Sequence, residues 1–259
     1  IKNWRISMKL GLVTYNMAKD WDVPTIIKNC QDTGFEGVEL RTTHAHKVEV
    51  ELSASQREEI LQAFGDSPVE LAGLGSAFDY HSIDQDIVRQ NIEGTKEYSK
   101  LAADVGAPGV KVRPNGLPQE VSVEQTLEQI GNSLRECGEF ANNLGVQIRL
   151  EVHGGGTSEL RHVRTIMDVA DHPNVYVCWN SNFGEVEDGS IQKPFNLVKG
   201  EIGLVHITEL HRTEYPWREL FTSLKESGYQ GFTLAEIAGS SDPIRLMNFY
   251  RALWTELTR

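Results

Sequence analysis

Two glutamates and a histidine, far apart in the sequence, each stand near the end of a short β-rich run. They are Glu151 in "RLEVHG", His206 in "LVHITEL" and Glu236 in "TLAEI". Two carboxylates and one imidazole form a mixed oxygen and nitrogen ligand set that suits Mn²⁺, Mg²⁺, Co²⁺ or Zn²⁺. The two negative charges also balance one divalent ion. The sequence therefore predicts a metal site, provided that the fold brings the three residues together.

A fourth run, "YVCWNSN", ends in an amide where a third carboxylate would be expected. The carbonyl oxygen of Asn180 can bind a metal ion as a weak neutral donor. We therefore predict Asn180 as a fourth ligand, and we assign the nearby Asn182 to the substrate side of the same site.

Cationic and polar side chains stand near the ends of further β-rich runs. Lys111 and Arg113 lie in "VKVRPNG", and Arg41 ends "VELR". These three cations are expected to bind substrate oxygens or an anionic group such as a carboxylate or phosphate. Neutralising the surrounding carboxylates is an equally good role for them. The other predicted substrate-binding residues are His153, His44, His46 and Tyr80.

Such residues need a scaffold that gathers strand ends, and the sequence alternates β-rich and helical segments throughout. The predicted strands are Leu10–Tyr15, Gly37–Arg41, Glu70–Ser76, Gly109–Arg113, Gln147–Val152, Val175–Trp179, Leu204–Thr208 and Phe232–Ile237. The predicted helices are Val23–Asp32, Ser53–Ala63, Asp86–Val105, Val123–Asn143, Glu159–Ala170, Phe195–Ile202, Trp217–Ser227 and Pro243–Leu257. Eight such units predict a single (β/α)₈ TIM barrel over residues 1–259, with its active site at the C-terminal ends of the strands. No GxGxxG follows the first strand, which argues against a dinucleotide-binding fold.

Capping residues support these boundaries. Glycine adopts the left-handed conformation that ends a helix at little cost. The glycines expected there are Gly34, Gly106, Gly145 and Gly228. Short polar side chains satisfy the first N–H groups of a helix. The predicted N-caps are Asp22, Ser122, Ser158 and Asp242.

Composition and charge narrow the function classes. The 259 residues include 37 acidic and 25 basic side chains, and the net charge of -12 argues against binding to nucleic acid. No apolar run approaches the ~20 residues of a membrane span. Three cysteines without a CxxC pair favour free thiols in a reducing compartment, so we expect a cytoplasmic protein. A removed export signal ahead of Ile1 stays an open alternative, and so does homo-oligomer formation.

The four strand-end residues carry a resemblance to a known family. Along essentially its whole length the chain resembles the xylose-isomerase-like TIM-barrel family, whose members are often called sugar phosphate isomerases/epimerases. The resemblance implies one divalent metal held by Glu, Asp, His and Glu in that chain order. The matching positions are Glu151, Asn180, His206 and Glu236, so that three agree and asparagine replaces aspartate. His153 matches a position that contacts the substrate in many relatives.

The resemblance also implies an activity. It indicates a metal-dependent isomerase or epimerase of a sugar or sugar derivative, with Mn²⁺ as the favoured metal. Glu151 and Glu236 would be the catalytic bases that move a proton beside a carbonyl. A lyase acting on an oxidised sugar or glycoside and an inactive sugar-binding barrel stay open as alternatives. An apurinic endonuclease is disfavoured, because that activity needs a histidine-rich zinc cluster and a basic surface.

Overall fold

A computed structural model describes residues 8–259, so residues 1–7 of the predicted domain lie outside the described part. Across the described residues, eight parallel strands close into a barrel in chain order, from β1 to β8. The strands are β1 Lys9–Val13, β2 Gly37–Arg41, β3 Glu70–Asp79, β4 Gly109–Arg113, β5 Gln147–Glu151, β6 Val175–Asn180, β7 Ile202–Ile207 and β8 Phe232–Ala235. The prediction of a (β/α)₈ barrel is therefore confirmed.

A helix follows each strand. The helices are α1 Val23–Thr33, α2 Ala54–Gly65, α3 Gln85–Val105, α4 Val123–Asn142, α5 Leu160–Ala170, α6 Gln192–Val198, α7 Trp217–Glu226 and α8 Pro243–Leu257. A 3₁₀ turn at Phe183–Glu185, which the sequence analysis did not predict, lies between β6 and α6. None of the helices within residues 8–259 has the length and apolar character needed to cross a membrane.

Three element boundaries differ from the predictions by more than two residues, and one of them is the start of α6, which lies at Gln192 and not at the predicted Phe195. Helix α6 was predicted to run to Ile202, but it ends at Val198 because Ile202 pairs with Val177 as the first residue of β7. Strand β3 continues to Asp79, three residues beyond the predicted Ser76, after an irregularity in its pairing with β4. The apolar pattern thus located these elements without fixing their ends.

The capping predictions are confirmed with one exception. The side chains of Asp22, Ser122 and Asp242 each accept a hydrogen bond from a backbone N–H in the first turn of their helix. All four predicted glycines have positive φ: Gly34 (72°), Gly106 (79°), Gly145 (70°) and Gly228 (79°). The prediction for Ser158 is wrong, because Glu159 occupies the N-cap position and makes no side-chain capping bond. Ser158 belongs to the preceding turn, where its N–H donates to the carbonyl of Gly154.

The sheet has an apolar region on each of its two faces. The larger core fills the space between the strands and the helices. A smaller group lies inside the barrel and consists of Val13, Ala72, Cys178, Leu204 and Leu234. Successive side chains on one face of a strand are two residues apart. The next inward positions after Cys178, Leu204 and Leu234 are therefore Asn180, His206 and Glu236, and the barrel interior becomes polar towards the C-terminal ends of its strands.

A substitution at Gly11 tests how tightly the barrel interior is packed near the N-terminal ends of the strands. A Cβ atom on Gly11 would lie 2.5 Å from Cδ2 of Leu234 and 2.7 Å from the carbonyl oxygen of Gly37. We expect Gly11→Ala to lower the urea midpoint, with a loss of roughly 1–3 kcal/mol in the free energy of unfolding. The matched control is Gly65→Ala at the end of α2, where nothing lies within 4 Å of the added atom. That change should be neutral or slightly stabilising, and equal losses in both variants would contradict this description of the interior.

Candidate metal centre

Strand register brings the predicted ligands to one height in the barrel. Glu151 and Asn180 are the last residues of β5 and β6, and Asn180 pairs in register with His206 on β7. Glu236 directly follows β8, and its N–H donates to the carbonyl of Ile207 on β7. One ligand atom from each of Glu151, His206 and Glu236 lies within 4.8 Å of the others. The three predicted charged or imidazole ligands therefore form one cluster.

The donor atoms in this cluster suit a shared cation. Nδ1 of His206 lies 3.5 Å from Oε1 of Glu151 and 3.7 Å from Oε2 of Glu236. This nitrogen is buried and makes no hydrogen bond to any described residue. Ligand atoms about 2.1 Å from one ion lie about 3–3.5 Å from each other at ordinary coordination angles. The orphaned nitrogen and its spacing from two carboxylates fit a divalent metal ion.

Asn180 lies against the same cluster and is buried. Its amide nitrogen donates to Oε1 of Glu151 at 3.2 Å. The amide oxygen takes no part in this bond, so it is the atom that could approach an ion. Asn180 therefore holds one ligand in place, and its own coordination of the metal stays a prediction.

A buried ion pair fixes the other side of Glu151. Nζ of Lys111 donates to Oε2 of Glu151 at 2.8 Å, and both side chains are at most 5% exposed. Burial alone would disfavour the charged form of each group. For Glu151 the Lys111 ammonium and His206 outweigh burial and hold the pKa of the carboxyl well below its usual range. For Lys111 the carboxylates of Glu151 and Glu39 outweigh burial and raise the pKa of the ammonium.

Glu39 also lies against this cluster, and it was given no role from the sequence. It points into the barrel from β2 with no exposed surface, and its Oε1 lies 3.3 Å from Nε2 of His206. Gly75 makes room for it, because a Cβ there would lie 2.7 Å from Oε1 of Glu39. A carboxylate on one imidazole nitrogen orients the ring and leaves the other nitrogen for a metal. An acidic residue in the middle of the buried strand "GVELR" was the available signal, since such a charge needs a partner.

Arg149 lies deeper in the barrel and was also given no role. It is on β5, two residues before Glu151, and it is buried. Its guanidinium donates to the carbonyl of Ala72 at 2.8 Å and to the side chain of Gln147 at 3.0 Å. The buried centre therefore contains a second permanent cation besides Lys111.

Three predicted substrate-binding residues lie at the barrel mouth with unused donor or acceptor atoms. Arg113 donates from Nη2 to the carbonyl of Ala77 at 3.0 Å, while its Nε is buried without an acceptor. The guanidinium of Arg41 lies over the ring of Tyr15, with 5.4 Å between Cζ and the ring centroid. Nδ1 of His153 is buried and unpartnered among the described residues. Burial lowers the pKa of His153, and Arg113, Lys111 and Arg41 lower it further against the opposing effect of Glu151.

Two predicted substrate contacts lie in packed positions instead. Tyr80 has no exposed surface, and its hydroxyl is 2.6 Å from Oγ1 of Thr95 on α3. His46 is 6% exposed; its Nε2 donates to the carbonyl of Arg41 at the end of β2, and its Nδ1 accepts from the N–H of Val48. Neither side chain has a polar atom left for a substrate, so both predictions are corrected to structural roles. The reason is that burial of a polar group requires internal partners.

His44 and Asn182 occupy intermediate positions. Nδ1 of His44 lies 3.2 Å from Oγ1 of Thr14, and the ring is half-buried. The amide nitrogen of Asn182 donates to the carbonyl of Val152 at 2.7 Å and to Oε1 of Glu185 at 3.2 Å. Asn182 therefore ties the end of β5 to the 3₁₀ turn, and any contact with substrate would use its remaining oxygen.

Three large aromatic residues near the β6–α6 loop belong to the core. Trp179, Tyr215 and Trp217 are each at most 4% exposed. The indole of Trp179 donates to the hydroxyl of Tyr215 at 3.1 Å. The ring of Tyr215 contacts Phe183 of the 3₁₀ turn, with 5.9 Å between ring centroids, and the ring of Trp217, with 4.4 Å. The three core residues offer no open ring face to a ligand.

We expect Glu39→Gln to weaken metal binding about 10–100-fold, because the neutral amide orients His206 and raises its basicity less than a carboxylate does. Titration of the metal-free protein with Co²⁺, followed by its visible absorption, measures the affinity and the ligand field together. Glu58→Gln, which removes an exposed carboxylate on α2, is the control and should bind like wild type. Unchanged affinity and spectrum in Glu39→Gln would contradict the role given to Glu39.

We expect Glu185→Gln to stabilise the protein at alkaline pH but not at acidic pH. Burial raises the pKa of Glu185 well above its ordinary value, and its Oε2 has no hydrogen bond within the described residues. A raised folded-state pKa means that stability is fully present below the unfolded pKa and is lost as pH rises through the folded one. The variant should gain on the order of 1 kcal/mol at pH 8. Urea unfolding at pH 4.5 and 8 tests this, and equal differences at both values would refute it.

Comparison with known proteins places this geometry in context. A family model described as xylose isomerase-like TIM barrel matches residues 27–252. The 3-keto-D-glucoside 4-epimerase from E. coli is 18% identical with a TM-score of 0.80, covering 96% of this chain and all of that chain. D-psicose 3-epimerase from Clostridium cellulolyticum H10, solved with D-tagatose, is 16% identical with a TM-score of 0.81, covering 97% of this chain and all of that chain.

A third similar structure, the IolI protein, was solved with a bound zinc atom. It is 18% identical with a TM-score of 0.77, and the match covers 97% of this chain and 96% of that chain. At these identities the solved structures show a shared fold. The family model matches most of the chain, and the strand-end cluster lies where the fold places active sites. The chain belongs to the xylose isomerase-like TIM barrel family.

Proposed function

We propose that the protein is a divalent-metal-dependent isomerase or epimerase that acts on a sugar or sugar derivative by moving a proton beside a carbonyl. The observation that carries this proposal is the placement of two carboxylates, Glu151 and Glu236, against one unpartnered nitrogen of His206. Such a cluster can hold a cation and still present carboxylate oxygens to a bound substrate.

Glu151, His206 and Glu236 would hold the metal, with the oxygen of Asn180 as a neutral fourth donor. Mn²⁺ is the favoured ion, and Mg²⁺, Co²⁺ or Zn²⁺ suit the same donors. When bound, a divalent ion supplies a Lewis acid that makes a C–H bond beside a carbonyl more acidic. The zinc atom in the structure of the IolI protein supports a metal in this fold.

The two carboxylates have different surroundings and would take different parts in proton transfer. Oε2 of Glu151 is held by Lys111, and its Oε1 lies near Asn180 and His206. The side chain of Glu236 is 18% exposed, and it makes no hydrogen bond to any residue in 8–259. Glu236 is therefore the freer base, able to take a proton from a substrate at the mouth. Glu151, across the cluster on β5, would return a proton to the other face of the substrate after taking one up from water, because its own carboxyl is ionised in the free site.

Nearby cations would favour the charge that develops on the substrate. Removing a proton beside a carbonyl places negative charge on the carbonyl oxygen. The ammonium of Lys111 is preorganised in the buried centre by Glu151 and by the carbonyl of Ser76, 3.5 Å away. Fixed positive groups in a site shielded from water stabilise such charge without reorganising. Arg41, Arg113, His153, His44 and Asn182 would orient the rest of the substrate.

The names of the similar structures support a sugar as substrate. Two of them are epimerases, one of a 3-keto-D-glucoside and one of D-psicose. Their low identity to this chain leaves the choice of sugar open. The chemistry of the cluster and the family together make proton transfer on a sugar the best-supported function.

Exchange of substrate hydrogen with solvent tests the proposal directly. The Mn²⁺-loaded protein is incubated with a panel of ketoses, keto-glycosides and sugar acids in D₂O, and NMR follows loss of the proton beside the carbonyl. We expect exchange with formation of an isomer or epimer. Release of a fragment would identify a lyase instead, and no exchange with any member would favour an inactive binding barrel.

We expect Glu236→Gln to lower the exchange rate at least ~100-fold, because a positioned base contributes about 10²–10⁴-fold. Its fold should be intact, since the residue lies at the mouth and outside the apolar core. Glu58→Gln serves again as the control with wild-type rate. Circular dichroism of both variants checks the fold, and a wild-type exchange rate in Glu236→Gln would refute the assigned role.

A further inference from the structure

The buried centre contains an uneven balance of charge. Three carboxylates, Glu39, Glu151 and Glu236, face two permanent cations, Lys111 and Arg149. A divalent ion held beside a neutral imidazole would leave this group with one net positive charge. Asn180 contributes no charge, although an aspartate there would cancel the excess. The centre with its metal is thus suited to one further negative charge.

Arg113 extends this positive region to the mouth. Its register partner on β3 is Asp79, yet the two side chains make no ion pair in the described structure. The carboxylate of Asp79 is used instead by Asn115, whose amide donates to it at 2.8 Å, and by His81 at 3.3 Å. The buried Nε of Arg113 has no acceptor. A buried N–H without a partner is costly, so an acceptor from a ligand would relieve this cost.

Arg41 is the second cation at the mouth without a carboxylate partner. Its backbone is held on both sides, because its N–H donates to Oγ1 of Thr14 at 2.9 Å and its carbonyl accepts from His46 at 2.8 Å. Its guanidinium lies over Tyr15 and makes no hydrogen bond or ion pair to the part of the chain that the structure describes. The chain as a whole carries a net charge of -12, so carboxylates are plentiful elsewhere on its surface. The backbone of Arg41 is thus held in place, while its guanidinium has no carboxylate partner among the described residues.

His153 lies between these arginines and the centre. It follows Glu151 by two residues at the start of the β5–α5 loop, and its buried Nδ1 is unpartnered. The loop packs closely on the segment after β4, since a Cβ on Gly154 would lie 2.7 Å from the backbone of Asn115. That contact holds His153 beside the end of β4, where Arg113 is. Arg113 and Arg41 both lie close enough to His153 for their charges to act on its ring, so the three side chains belong to one region of the mouth.

We propose that this region is an oxyanion subsite and that the substrate is an anionic sugar, bearing a carboxylate or a phosphate, rather than a neutral one. Arg41 and Arg113 bind the anion, and His153 contacts the adjoining part of the sugar. Guanidinium groups match both kinds of oxyanion with paired hydrogen bonds. This inference rests on the proposed function, because it assigns the substrate class of the same site.

Ligand binding to the Mn²⁺-loaded protein, measured by calorimetry at constant ionic strength, tests the subsite. The probes are D-fructose, D-gluconate and D-fructose 6-phosphate. We expect at least one anion to bind about tenfold or more tightly than D-fructose, since hydrogen bonds to a charged group are stronger than those between neutral groups. The better of the two anions identifies carboxylate or phosphate as the group recognised. Equal affinity for all three probes, or binding of none, would overturn the proposal.

Variants separate the subsite from the metal centre. Arg41→Gln and Arg113→Gln should each remove most of the preference for the anion and leave Mn²⁺ affinity unchanged. Arg251→Gln, an exposed arginine on α8 beside Gly34 at the opposite end of the barrel, is the matched control and should bind like wild type. An anion preference that survives both mouth variants would contradict the assignment.

Asn180→Asp provides a reciprocal test that a purely structural role would not satisfy. The added charge should tighten Mn²⁺ binding and weaken anion binding in the same variant. Loss of both affinities would count against the charge balance described above. None of these binding measurements requires turnover. If no substrate hydrogen exchanged with solvent, the proposed reaction would be refuted, and the preference for an anion would still be tested independently.

Discussion

The candidate site depends on opposite charges that are buried side by side in the barrel. Lys111 holds one oxygen of Glu151, and Glu39 faces one nitrogen of His206. Each charge alone would be too costly to bury, and removal of one partner would leave the other uncompensated. The pairs therefore fix the orientation of the groups that would bind a metal. Their organisation comes from the fold, before any ligand is present.

The barrel makes this arrangement possible because the register of its strands aligns the charged residues and its glycines leave room for their side chains. Every second residue of a strand points inward, so charged residues from separate strands meet at one height. Glycines provide the volume that long side chains need inside the sheet. Gly75 leaves room for Glu39, and Gly109 leaves room for Arg149. The polar centre is built on an interior whose lower part is apolar and filled.

Much of this architecture could be predicted from the sequence, because alternating apolar segments and capping residues are local signals. The cluster of Glu151, His206 and Glu236 could also be predicted, since parallel strands end at one face of a barrel. The inward role of Glu39 could not, because no local pattern tells which partner a buried acid meets. Tyr80 was misassigned for a related reason. A loop position near the mouth does not say whether a side chain faces a ligand or the helices.

The filled interior below the site limits the paths by which a ligand could reach the site. Leu234 and its apolar neighbours, with Arg149 beside them, fill the barrel below the cluster, so the described residues leave no open route along its axis. Under the proposed function, the metal ion and the sugar would therefore enter through the same opening, at the end of the barrel where Arg41 and Arg113 lie. A sugar bound in that opening would block exchange of the ion with solvent. The ion would then have to bind before the sugar and leave after it, so a chelator would remove the ion only from protein without bound sugar.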